Sequence, residues 1–600
     1  MKRTYLLGVI AWAFIVTANA TNFQYAVDSI INRVDPQINM GMVVIDLNTG
    51  EKLYQRNPTK SFIPASNMKL FSDAAALLAL GPDYRFRSKL TTDATVLEDG
   101  VLNGSIYLFL PGDPSLSQEN LRKMLSQLPL WGVKRIQGNV IIVSNNSVVN
   151  TYPPGRVASD FKYSYGAPIA PLVLDENRLT VTVNPGFRAG APAYIELNAP
   201  NSNLSINNQV KTTASGACGI SFSMDDENHL TVRGCIGVGQ WAIQQRLAVR
   251  NPLRFADDSI TQSLAHLNIH LDGKVLLGHA PSSSLLLASH TSKPISQLMA
   301  DTLKPSDNVY ADSLFLDAAT KLNGGPLNWQ PAQAIVKTFL QQQTGINLQN
   351  AVLTDGSGLS RENLLTAQQT VDLLRFLHTR FSLAYEYIAA LPVAGHDGTL
   401  QRRFRKPSAQ GLLRAKTGTM TGVMSLSGYL YTANAHTLAF AIFINRRPGT
   451  SPAVAGRYRS LVDTLCDFFL RQKPDGRIVA ETQRPYARVA FQQQPTEADR
   501  LRTKYARWRQ LESSVKQALG GKAVTVLFRN DHLILKDQNE TANSVWSVLQ
   551  QLRKKYAFTI SLHSKLAPKI NNNTPAVLWV KTTHEEPNTT RTWTLREAIG

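Results

Sequence analysis

The distribution of apolar and polar positions changes several times along the chain, and each change predicts a different kind of element. An apolar stretch from Tyr5 to Val16 follows Met1-Lys2-Arg3 and precedes Ala18-Asn19-Ala20, the order of a charged n-region, an apolar h-region and a small-residue cleavage site. It is shorter than the roughly 20 residues that span a bilayer. Residues 1–20 therefore read as a cleaved signal peptide. No cysteine stands at the cleavage point, which argues against a lipoprotein. From Gly41 to Arg56 two apolar-rich runs flank Asn48-Thr49-Gly50, the pattern of a β-hairpin. Helix-compatible sequence follows from Ser66 to Leu80. Between about Tyr84 and His290 the pattern turns to short alternating strands such as Ser105 to Leu110, Val140 to Val143, Leu179 to Val183 and Leu230 to Val232, broken by Gly, Pro and Asn. Helical periodicity returns at Ile295 to Leu322, Ala332 to Thr344 and Thr366 to Phe381. Strands are then expected from Ser425 to Asn445 and a helix from Tyr458 to Gln472.

Beyond a Gln/Pro/Arg-rich joint, the tail begins with a basic helix carrying an apolar stripe at Leu501, Tyr505, Trp508, Leu511, Val515 and Leu519. A hairpin (Val524 to Phe528, Leu533 to Leu535), a helix (Val545 to Tyr556) and strands at Phe558 to Leu562 and Val577 to Val580 complete it. The expected organisation is an α/β domain split between 21–83 and 291–474, a β-rich insertion at 84–290, a linker at 475–497 and a small basic α/β module at 498–600.

Composition narrows the class. A chain of 600 residues with 43% hydrophobic and 18% charged residues can bury several cores and is not a disordered polymer. Its net charge of +20 favours polyanions, which for an exported chain are anionic lipid surfaces or wall polymer before nucleic acid. No nucleic-acid-binding signature is present. About half of the excess lies after Gly476, where about 20 Lys and Arg stand against about 10 Asp and Glu. Trp508 among Arg502, Lys504, Arg507 and Arg509 is compatible with a membrane-surface or wall-binding helix, or with simple packing on the neighbouring strands. Of three cysteines, Cys218 and Cys235 flank a polar loop and pair most naturally with each other. Cys466 sits in an apolar helix pattern as a buried thiol. Nothing has zinc-ligand spacing, so no metal is expected.

Three short elements carry candidate chemistry: Ser66-Asn67-Met68-Lys69, Ser306-Asp307-Asn308 and Lys416-Thr417-Gly418-Thr419. A Ser-x-x-Lys alone is expected about twice by chance in a chain this long, and alone Ser66 would read as a helix cap. The set in this order is the one associated with penicillin-binding proteins and serine β-lactamases. Physically, a serine opening a helix has the residue three positions on along the same face, so Lys69 can reach its hydroxyl. A free lysine is a poor base at neutral pH, so burial and a nearby cation, for which Lys416 is the candidate, must depress it. Ser306 can relay a proton and Asn308 can hold a substrate amide. The N–H groups of Ser66 and Thr419 can form an oxyanion hole, and Lys416, Thr417 and Thr419 can grip a carboxylate.

With these motifs the chain resembles the low-molecular-mass class C penicillin-binding proteins, the D-alanyl-D-alanine carboxypeptidase and endopeptidase family. Roughly 240 positions separate Ser66 from Ser306, far more than in simple serine β-lactamases, and the β-rich insertion accounts for the excess. Gly112-Asp113-Pro114-Ser115-Leu116, Gly166-Ala167-Pro168, Asp175-Glu176-Asn177, Asp355 to Arg361 and Asp397-Gly398-Thr399-Leu400 extend the resemblance over about Phe23 to Lys473. It implies a serine β-lactamase/DD-peptidase-like α/β fold, an antiparallel sheet flanked by helices, with catalytic Ser66, Lys69, Ser306, Asn308 and Lys416. Thr417, Gly418, Thr419, Met420 and Arg361 would border the substrate. It also implies peptidoglycan peptides and β-lactams as ligands, no cofactor, and a periplasmic or secreted location. One departure concerns Ser144-Asn145-Asn146-Ser147, where relatives often place an acidic residue that reads a diaminopimelate amine. A fast-deacylating β-lactamase or esterase and a wall-binding scaffold are the rival readings.

Overall fold

The computed structural model describes residues 23–144, 151–169, 172–199, 204–216 and 218–471, and the backbone of four strands between 524 and 582. The signal-peptide stretch, Asn145 to Ser147, the 475–497 joint, the Leu501 to Leu519 stripe and the Val545 to Tyr556 helix lie outside the described residues.

A five-stranded antiparallel sheet runs in the order Leu413–Met420, Val423–Tyr431, Thr437–Asn445, Met40–Asp46, Lys52–Arg56. The Asn48-Thr49-Gly50 turn closes the last pair, with Gly50 at φ +79, a conformation glycine adopts without a Cβ penalty. The middle strand, Thr437–Asn445, is buried from Leu438 to Ile444. A sheet covered on both faces demands this continuous apolar run rather than alternation. On one side Val27 and Ile31 of the 23–32 helix and Leu461, Val462, Leu465 and Phe469 of Tyr458–Leu470 share a core with the strands. Ala367–Thr379 packs on the same sheet, while Met68–Leu80, Ile295–Leu303, Asn308–Asn323 and Trp329–Thr344 form the helical cluster.

Residues between Arg87 and Thr291 build four sheets. One has five strands in the order Val275–Leu277, Val140–Ser144, Ile106–Leu110, Arg87–Thr92, Leu285–Thr291. Its edge strands follow one another in sequence, and its centre mixes parallel and antiparallel pairs. The region is not all β, because helices Gln118–Leu125 and Pro252–His266 pack into the same core. Both begin with strong caps: Ser117 and Asn120 form a reciprocal capping box, and Asn251 caps a helix with proline in its first turn. A disulfide joins Cys218 to Cys235, and Cys466 is free and buried.

The C-terminal strands Val524–Arg529, His532–Asp537, Val577–Thr582 and Phe558–Leu562 form an antiparallel sheet in that order, within a second compact unit. Among the described residues no helix is long and apolar enough to cross a membrane.

Candidate active site

Ser66 lies in a 3-10 turn, Ala65–Asn67, that runs directly into the helix Met68–Leu80. The turn is fixed from beneath. Asn67 donates to the Lys416 carbonyl (3.1 Å) and to Ser425 Oγ (2.8 Å), and Ser425 donates to the Pro64 carbonyl (2.7 Å). Gly418 permits this approach, since a Cβ there would sit 2.1 Å from Ser425 Oγ and 2.9 Å from the Pro64 carbonyl. Gly358 does the same from the opposite side, where a Cβ would lie 1.9 Å from the Ala65 carbonyl.

One turn into the helix, Lys69 is fully buried. Its Nζ lies 3.0 Å from Ser66 Oγ, 2.6 Å from Asn308 Oδ1 and 2.7 Å from the Ser357 carbonyl. Asn308 Nδ2 in turn donates to the Tyr165 carbonyl (2.7 Å), so its amide is engaged at both ends. Lys416, also fully buried, donates to Ser306 Oγ (2.8 Å) and to the Thr417 carbonyl (2.9 Å). Ser306 adopts φ +66. Such a left-handed conformation is uncommon outside glycine, and it comes between Pro305 and the Asp307-capped start of Asn308–Asn323. That break divides the helical stretch expected from Ile295 to Leu322 into two helices.

Burial lowers the Lys69 pKa to about 8, against the opposing pull of Asp312, Asp355, Asp307 and Asp73. Burial and then repulsion by Lys69 push Lys416 well down. Sequence reasoning expected burial and a nearby cation, Lys416, to depress Lys69 together. In the structure, desolvation is the largest cause for both amines, because each sits in low dielectric where the charged form is disfavoured. Beneath them Asp73, whose two oxygens are buried without a hydrogen-bond partner, is pushed well up by burial.

The five candidate catalytic residues thus meet, and the candidate binding residues lie beside them. Thr417, Gly418, Thr419 and Met420 end the sheet's edge strand, which leaves one side of its backbone free of a strand partner. Thr417 Oγ1 is 2.8 Å from Thr399 Oγ1, and Arg361 donates to the Thr421 carbonyl (3.2 Å). His396 belongs to the turn at 393–400, where its N–H bonds the Val393 carbonyl. Arg156, Asp312 and Asp73 escaped sequence reasoning, while Asp355, Ser357 and Thr399 stood in stretches that carry the resemblance without being given a role; Arg156, Asp312, Asp355 and Ser357 lie in one buried network. Asp73 follows Lys69 by four positions and Asp312 follows Asn308 by four, a same-face spacing that carried the signal. Arg156 had none.

The model of the D-Ala-D-Ala carboxypeptidase 3 (S13) family matches residues 23–466. This chain belongs to the S13 family. It is one of the low-molecular-mass class C penicillin-binding proteins, as the three motifs implied. A D-alanyl-D-alanine carboxypeptidase from Actinomadura sp. is 31% identical over 483 residues, covering 76% of this chain and 87% of the relative. The D-alanyl-D-alanine carboxypeptidase DacB of Haemophilus influenzae is 29% identical over 461 residues, covering 74% of this chain and 94% of the relative. The crystal structure of penicillin-binding protein 4 from Haemophilus influenzae superimposes with a TM-score of 0.64 at 29% identity, covering 72% of this chain and 99% of that one. The same protein has also been solved in complex with a β-lactam, and that structure gives a TM-score of 0.62.

Proposed function

We propose that Ser66 is the acylated nucleophile of a serine-type D-alanyl-D-alanine carboxypeptidase and endopeptidase of peptidoglycan, with Lys69 as its base. The observation that carries this is the surround of Lys69. A neutral amine has two N–H donors and one lone pair. Asn308 Oδ1 and the Ser357 carbonyl take the donors, so the lone pair is left for the third neighbour, the Ser66 hydroxyl at 3.0 Å.

In the proposed reaction Lys69 takes the Ser66 proton as Oγ bonds to the carbonyl carbon of the penultimate D-alanine. The tetrahedral oxyanion sits on the N–H groups of Ser66 and Thr419, and the substrate carboxylate on Lys416, Thr417 and Thr419. The C–N bond then breaks. The proton passes through Ser306, hydrogen-bonded to Lys416, to the leaving amine. Water attacks the ester, Lys69 accepts its proton, and Ser66 is regenerated. Arg361 and Met420 border the pocket. An endopeptidase cut differs only in that the leaving amine belongs to a cross-linked strand. A β-lactam opens on the same oxygen, and the leaving group stays tethered to the product.

The N-terminal pattern supports export to the periplasm or exterior after cleavage near Thr21, and the charge of residues 498–600 supports contact with an anionic membrane or wall polymer. The decisive experiment is incubation with a labelled penicillin, followed by peptide mapping, with Ser66→Ala as the control. A stable adduct on the peptide bearing Ser66, absent from the variant, is expected. An adduct elsewhere would overturn the assignment, and rapid turnover of a chromogenic cephalosporin would make the chain a β-lactamase.

A further inference from the structure

Arg156 comes from the inserted region, yet its side chain is only 1% exposed and ends inside the peptidase site. Its Nη2 pairs with Asp312 Oδ2, with Asp355 Oδ2 (3.1 Å) and with Ser357 Oγ (2.9 Å). The segment carrying it is docked by backbone, through Arg361 N–H to the Gly155 carbonyl (3.0 Å) and Ser360 Oγ to the Pro154 carbonyl (2.7 Å). The network leads to the base. Asp312 Oδ1 accepts the N–H groups of Gly356 (2.9 Å) and Ser357 (2.8 Å), and the Ser357 carbonyl accepts from Lys69 Nζ (2.7 Å).

Two carboxylates face this cation. Burial raises Asp312 to about 6 despite Arg156, while Arg156 and the N–H donors around it hold Asp355 below the usual range. The other charged groups facing Lys69 are Asp73 on its own helix, Asp307 beside Asn308, and Lys416 on the edge strand. Arg178, also from the inserted region, pairs with Asp307 (2.7 Å).

We propose that Arg156 is a positioning residue for the reaction, a cation lent by the inserted region that balances Asp312 and Asp355 so that Lys69 can stand uncharged beside Ser66. The inference rests on the assignment of Ser66 and Lys69 above. Without Arg156 the negative charge on Asp355, and on Asp312 above its own raised pKa, would face the amine unbalanced, and the charged form of Lys69 would be favoured. Removing one carboxylate while keeping Arg156 has the opposite sign. Removing both restores the original balance.

The test is the pH dependence of the acylation rate by a fluorescent penicillin, on the full chain. For Arg156→Met the rising limb is expected to move alkaline by about one pH unit or more. For Asp312→Asn, whose amide oxygen can still accept both backbone N–H groups, it is expected to move acid. The double variant is expected to return to the wild-type midpoint, as is Arg156→Lys. A purely structural Arg156 would lower the rate at every pH without moving the midpoint, and the double variant would be worse than either single one. Those results would overturn the inference. If Arg156→Met does not fold, Asp312→Asn reads the same coupling, and an unmoved midpoint there overturns it equally. Absence of a Ser66 adduct in the wild type would instead sink the nucleophile assignment.

Discussion

At the scale of single residues, two fully buried amines, Lys69 and Lys416, stand within one site, and burial lowers the pKa of both. With its pKa lowered to about 8 by burial, Lys69 is largely protonated at pH 6 and largely neutral at pH 9. If the neutral amine is the base, acylation by a β-lactam rises through a midpoint near pH 8, and stopped-flow rates between pH 6 and 10 check this. Lys69→Met should lower the acylation rate by about 10²- to 10⁴-fold, the usual contribution of a general base. The Ser66 and Lys69 pair was legible in the sequence because helical spacing alone places both on one face. The charged surround of the lysine was only half legible. Spacing can suggest that Asp73 and Asp312 look toward it, but Arg156 arrives from a loop more than 80 positions away from Ser66 along the chain, and nothing in Pro153-Pro154-Gly155-Arg156 marks it.

At the level of elements, the site depends on how closely the edge strand approaches the turn before the helix Met68–Leu80. Gly418→Ala would set a methyl 2.1 Å from Ser425 Oγ. Because Ser425 also holds Asn67 and the Pro64 carbonyl, the turn and strand must part. A loss of about 1–3 kcal/mol of stability is expected from overpacking, with a larger loss in acylation, as checked by denaturant unfolding beside penicillin labelling. The strands of the main sheet were legible from their apolar runs. The helices Gln118–Leu125 and Pro252–His266 were not, although their caps stood in the sequence, because each is surrounded by alternating strand patterns. The break at Ser306 was partly legible, because Ser306-Asp307-Asn308 after Pro305 has the look of a turn and helix cap, and Asp307 does cap the second helix. What the helical period from Ile295 to Leu322 concealed is the left-handed backbone at Ser306 that turns its hydroxyl toward Lys416.

On the scale of the whole molecule, Asp113, just beyond the strand Ile106–Leu110, meets Asp317 of the helix Asn308–Asn323 in a second buried acid pair. Asp113 and Asp317 each leave one carboxylate oxygen without a hydrogen-bond partner, and a Cβ on Gly112 would touch Asp317 Oδ1. Burial raises both pKa values, and repulsion by Asp113 adds to the shift of Asp317. The folded chain therefore holds protons that the unfolded chain releases near pH 4. Stability from this pair is present at low pH and falls as pH rises toward the raised folded values. Asp317→Asn should lessen that fall, so its melting temperature should gain on the wild type as pH rises from 5 to 8. The strand-rich character of the stretch between Ser66 and Ser306 was legible from its alternating patterns. The acid pair was not, since it joins residues from two regions that only the fold brings together.

Cys466 offers a last consequence. It is the one free cysteine among the described residues, has no exposed surface, and burial pushes its thiol up. An alkylating reagent will therefore find it only when Tyr458–Leu470 lifts from the sheet, and the rate of thiol capture becomes a native reporter of how often that helix opens, with no label added.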